Sequence, residues 1–140
     1  MSDYIAIIAL IVSIISILVQ NFGVQKQLLV SNISTYTERY QKLIDRMPKE
    51  ILYEDFDIYN LSENGKEELL RSMCLYFDLC FEEYLLYQLK LIDKKLWNVW
   101  KNAITSAMSR PAFRQGWKIV SKQTTYSFEF INFMNQFGKV

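Results

Sequence analysis

From Tyr4 to Val19 the chain reads YIAIIALIVSIISILV, with no charge, no proline and no glycine. A spanning helix usually needs ~20 apolar residues, with ~17 as the lower end. Tyr4 through Phe22 supplies 19 positions, with Gln20 and Asn21 at an interface and Tyr4 and Phe22 as boundary aromatics. One face of this run differs from the rest. Ala6, Ala9, Ser13, Ser16, Gln20, Gly23 and Gln27 follow one another at spacings of three and four, which places small and polar groups along one side of a helix. In lipid, helices pack where small side chains let backbones approach and hydroxyls can pair. The pattern predicts a single-pass membrane protein whose helix has a partner, the stripe being either a membrane-helix interface or the lining of a lumen.

A cleaved signal peptide is the rival reading. It fits poorly, since no basic region precedes the apolar run and no small-residue cleavage site follows it. Before the run stands only Asp3; after it come Lys26, Arg39 and Lys42. The positive-inside rule then places the chain in the cell membrane, with its N-terminus outside and its C-terminal domain cytoplasmic. Cys74 and Cys80 are six apart in a helical segment, point to different faces and cannot bridge each other, as suits a reducing compartment.

The expected organisation is an anchor helix over residues 1–27 and one helical domain over residues 28–140. Glycine and proline number only four and two, which argues against a turn-rich β domain. Leu29, Ile33, Tyr36, Tyr40, Leu43 and Met47 continue a helical period out of the apolar run, so one helix of about 65 Å is predicted from Asp3 to Met47, ended by Pro48. Residues 48–61 lack a clean period and predict a packed loop or a short helical turn. Ser62 is the expected cap of a second helix reaching about Leu89. Asp93 caps a third with Leu96, Trp97, Trp100, Ile104 and Met108. Pro111 opens a fourth with Phe113, Trp117 and Val120. A last helix holds Tyr126, Phe130, Phe133 and Phe137, closed by Gly138. The fold class is all-α, an N-terminal transmembrane helix continuing into a cytoplasmic helical bundle of about five helices. Its core should bury Trp97, Trp100 and Trp117 with Tyr36, Tyr40 and Leu43.

Charge is segregated. Residues 45–89 hold eleven acids and four bases; residues 90–140 hold nine bases and two acids. Complementary packing of the two halves, or of neighbouring protomers, accounts for this most simply. A sharper reading is a basic surface for an anionic partner, made by Arg110, Arg114, Lys118 and Lys122 at four-residue spacing. It could meet lipid head groups or nucleic acid phosphate.

The chain contains no histidine. That removes the commonest general base, the usual nucleophilic triads and most zinc sites. Glycine at 23, 65, 116 and 138 forms no phosphate loop. Glu82 and Glu83 diverge on a helix and make no carboxylate dyad. No catalytic, cofactor-binding or metal-ligating residue is expected, and the chain does not read as an enzyme.

Three segments carry a resemblance: YQKLIDRMP at a helix end, KLIDKKLWNVWKNAI, and RPAFRQGW. Together with the anchor they resemble a family of bacterial single-pass membrane proteins with a Trp-x-x-Trp and Pro-x-Phe-Arg helical domain, over residues 4–120. In architecture the chain is also similar to the pore-forming membrane effector that accompanies RNA-targeting CRISPR systems. That similarity implies a membrane helix, a helical domain and a ring assembly. The absence of histidine leaves no room for nuclease chemistry.

Two functions follow. One is a self-assembling membrane protein, with a pore-forming or membrane-perturbing defence effector as its developed form. The alternative is a membrane-anchored adaptor or accessory subunit that docks a protein partner through its helical bundle. The partners expected are the lipid bilayer and further copies of the chain; nucleic acid is not expected.

Overall fold

The computed structural model describes residues 2–138, with the side chains of residues 2–6 and 138 outside what is described. Five α-helices are present and no strand, among the described residues. Helix α1 spans Ser2–Asp45, α2 Glu63–Gln88, α3 Lys94–Met108, α4 Pro111–Gln123 and α5 Phe128–Asn135. The chain divides into two compact units, Met1–Arg39 and Tyr40–Val140.

The helix boundaries follow local chemistry. Ser62, Asp93 and Ser127 each accept a backbone N–H of the turn they start, from Gly65, Leu96 and Phe130 respectively, which satisfies a donor that the helix itself cannot. Pro111 sits in the first turn of α4, where its missing N–H is harmless. Helix α1 ends at Asp45, two residues short of Met47, and Met47 is buried beyond it. Residues 48–61 contain two 3₁₀ turns, Lys49–Leu52 and Ile58–Asn60. They bury Ile51, Phe56 and Ile58. Gln115 of α4 holds this segment, its Oε1 accepting from Ile58 N at 2.8 Å and its Nε2 donating to Phe56 O at 3.5 Å.

The last helix starts later than its period suggests. Tyr126 lies before it, in the connection from α4, and Ser127 is the cap. Tyr126 is nonetheless buried. Its ring packs on Trp117, Phe81 and Phe130, and its hydroxyl donates to Asp78 Oδ1 at 2.8 Å. Aromatic spacing alone does not distinguish a core ring on a helix from one on a tight loop.

The C-terminal unit is organised on α2, which buries Leu69, Met73, Tyr76, Phe77, Leu79, Cys80 and Tyr84. Helices α3 and α4 pack against it. Phe130 of α5, 0% exposed, sits among Phe81, Tyr84, Trp117, Tyr126 and Phe133. All three indoles are buried, as expected. Trp117 contacts Phe77 at 5.0 Å between ring centroids, and Trp97 stacks on Tyr87 at 4.9 Å. Leu43 is buried, but Tyr40 remains 40% exposed and its ring meets Tyr76. Aromatic pairs contribute ~0.5–1.5 kcal/mol each beyond area burial, so a continuous set of them gives a domain of this size a rigid core.

The turn between α2 and α3 has an unusual cap. Lys90 N donates to Tyr87 O and Leu91 N to Leu86 O, the paired bonds of a Schellman motif. The residue in the left-handed position is Lys90, with φ of 58°, where glycine is the common choice.

Gly116 of α4 leaves room for the buried side chain of Met73 on α2. A Cβ at that position would lie 2.1 Å from Met73 Sδ, and Met73 is fully buried. Gly116→Ala should therefore destabilise the bundle by ~1–3 kcal/mol through overpacking. Adding Met73→Ala should give a double variant less destabilised than the sum of the two singles. Chemical denaturation of the four proteins measures this; additivity would show that the two residues do not compete for the same space.

Candidate membrane helix and basic surface

The stripe residues of the N-terminal unit lie on unbroken helix. Ala9, Ser13, Ser16, Gln20, Gly23 and Gln27 fall within an arc of about 80° at ~100° per residue. Ala6 continues the series, but its side chain lies outside the described residues. Every described side chain from Ile7 to Val30 is exposed. The two serine hydroxyls are not left open. Ser13 Oγ donates to Ala9 O at 2.9 Å and Ser16 Oγ to Val12 O at 2.8 Å. Each hydroxyl thus satisfies its proton within its own helix and keeps lone pairs for a neighbour. A Cβ on Gly23 would meet nothing within 4 Å, so this unit by itself does not require glycine there. Among the described residues this is the one helix long and apolar enough to cross a membrane.

The four basic residues divide into two kinds. Arg110 is the N-cap residue of α4, not part of its face. Its guanidinium donates to Leu52 O at 2.9 Å and ties the first 3₁₀ turn to the start of the helix. Arg114 donates to the carbonyls of Met108 and Ser109, closing the end of α3 with a cation where carbonyls are unpaired. Lys118 and Lys122 are exposed on α4. Arg114 and Lys118 border a groove of about 390 Å³ lined also by Met108, Pro111, Gln115 and Trp117. Trp117 Nε1 donates across its floor to Asn135 Oδ1 at 2.9 Å.

The opposed charges of the two halves are not joined by ion pairs along α3 and α4. Among the described residues Lys94, Lys95, Lys101, Lys118 and Lys122 form none. The pair Arg71–Glu67, 3.3 Å apart, lies within α2 and is exposed, which makes it worth little. The halves pack largely through apolar and aromatic side chains, although Glu83 of α2 is buried among them.

The interior chemistry is that of a core. Burial, and next the negative charge of Glu83, push the Cys80 thiol well above its ordinary value, so it is not a reactive thiolate. Among the described residues no three metal-ligating side chains cluster. The feature that sequence reasoning missed is the pair of bonds from Gln115, because a glutamine at a helical position carries no periodic signal. No family model, curated protein or solved structure matches the chain.

Burial, and for Tyr126 also the hydrogen bond to Asp78, raises the phenols of Tyr76, Tyr84 and Tyr126 above the tyrosine norm. The folded state then holds protons that the unfolded chain releases above pH ~10. Stability should be unaffected by these groups below that pH and fall as pH rises beyond it. Tyr126→Phe should flatten the fall. Denaturation midpoints taken across the alkaline range check this; an identical slope in wild type and variant would remove Tyr126 from the account.

Proposed function

We propose that the chain is a self-assembling single-pass membrane protein, in which α1 enters the bilayer and packs against other copies along Ala9, Ser13, Ser16, Gln20, Gly23 and Gln27. The observation that carries this reading is the exposure of every described side chain from Ile7 to Val30. Burying one large aliphatic side chain is worth ~1.5–3 kcal/mol, so a helix face of this composition is strongly favoured in lipid over water. A signal sequence has the same composition; the retained anchor is favoured by the run of α1 without a break to Asp45. The positive-inside rule places the C-terminal unit in the cytoplasm.

Within lipid, association rests on close packing. The stripe is low in relief, uncharged, and has its two serine protons already bonded, which suits contact with an identical face. Parallel copies bring Ser13 and Ser16 level with their counterparts. Copy number then sets the activity. Two to four helices would close the stripe into a dry seam. A larger ring would turn Ser13, Ser16, Gln20 and Gln27 toward a lumen without fixed charge, a weakly selective pore whose apolar end can dewet.

The mass of the purified chain in detergent should correspond to a defined oligomer. Replacing Ser13 and Ser16 together by leucine should reduce that mass, because the branched side chains hold the backbones apart. A monomer would overturn self-association and assign the stripe to the helix of another protein, the adaptor function. If the oligomer is large, planar bilayers should show conductance that Gln20→Leu lowers. Absence of current and of dye leakage from such an oligomer would remove the pore.

A further inference from the structure

We propose that the turn between α2 and α3 is a second membrane contact, with Leu89 and Leu91 entering the acyl boundary and Lys90, Lys94 and Lys95 meeting the phosphates of anionic lipids. The proposal rests on α1 being in a bilayer. Leu89 and Leu91 are 65% and 67% exposed, although the N–H groups of Leu89, Lys90 and Leu91 are all bonded back to α2. In a Schellman motif the residue after the cap usually folds its side chain back onto the helix; Leu91 instead stands in solvent. Between the two leucines Lys90 occupies the left-handed region. A lysine there stores strain that glycine would relieve, and stored strain is a mark of positions held for a function. Val99, one helical turn beyond Lys95, extends the apolar surface.

The charges identify the occupant. Among the described residues none of Lys90, Lys94 and Lys95 forms an ion pair. The one acid between them, Asp93, has its carboxylate on Leu96 N at 2.8 Å as the cap of α3. The turn therefore presents a net positive charge, three lysines against one aspartate, around two protruding leucines. Apolar side chains ringed by lysine are the composition of surfaces that lie in the head-group region, and each lysine near an anionic leaflet adds to the attraction. The stack of Tyr87 on Trp97, with 8° between the ring planes, clamps the two helices across the turn. The tip thus meets a surface as a rigid unit and loses little freedom on binding.

Amide hydrogen exchange on the full chain in lipid nanodiscs tests this. The first amides of α3 lack intrahelical acceptors and exchange readily when open to water. Peptides covering 89–95 should exchange several-fold more slowly in discs of phosphatidylcholine with phosphatidylglycerol than in detergent. The slowing should weaken in phosphatidylcholine alone and on adding salt. Leu89→Ser with Leu91→Ser should abolish it in both discs. Lys90→Gln, Lys94→Gln and Lys95→Gln together should abolish its dependence on lipid charge. Unchanged exchange in 77–81 shows that the variants are folded. Equal exchange at 89–95 in discs and detergent, with residues 7–19 protected in the discs, overturns this contact alone. Equal protection in lipid and in detergent oligomers assigns the turn to a second copy and also overturns it. Unprotected 7–19 in the discs, with a chain that fails to float with lipid, overturns the anchor and this contact together.

Discussion

The C-terminal unit depends on how closely α4 can lie against α2. The two helices approach at Gly116, where the space a side chain would need is filled by Met73. That closeness carries Phe113 and Trp117 onto Tyr76 and Phe77. Trp117 in turn forms one wall around Phe130, through which α5 is held. Rings are large and stiff, so a set of them meets only in a few arrangements. One small residue therefore makes room for a buried methionine in the same seam where several large rings meet.

The N-terminal unit has a composition suited to a different solvent. Its helix has no packed core of its own and satisfies its hydroxyls by bonding back to its own carbonyls. In hydrocarbon every polar group needs such a partner. In water the same surface would be an exposed apolar patch calling for another protein or a membrane. The small and polar face is the part of the helix where two backbones can come nearest.

Electrostatics in the C-terminal unit divides by side-chain type. Arg110 and Arg114 reach backbone carbonyls at the joints between elements, a use suited to a planar, multi-donor group. The lysines of α3 and α4 stay on the surface as hydrated point charges. Along α3 and α4, positive charge is thus structural at Arg110 and Arg114 and stands on the surface at the lysines. The turn at Lys90 joins such surface charge to exposed leucine.

What the sequence determined by itself is what rests on local pattern. The apolar run, the 3.6-residue period of α1 to α4, and the caps at Ser62, Asp93 and Pro111 are short-range effects within one or two turns. So is the separation of the two cysteines. Burial of the three tryptophans was legible as well, because large rings at apolar helical positions have few other places to go. The tertiary structure decided what depends on residues distant in the chain. The sequence offered Tyr126 to a helix, but Asp78 and the rings of α2 and α4 draw it into a loop. It offered four cations to one surface, but Leu52, Met108 and Ser109 supply carbonyls that take two of them. It read Leu89 as the end of a helix and gave no sign that Lys90 would turn left-handed. In the candidate site, the stripe was legible as a period, while the inward bonding of its serines required coordinates. For Tyr126 and Arg110 the deciding partner lies far along the chain; for Arg114, Lys90 and the serines it lies in the path of the nearby backbone, and neither has a period that a sequence displays.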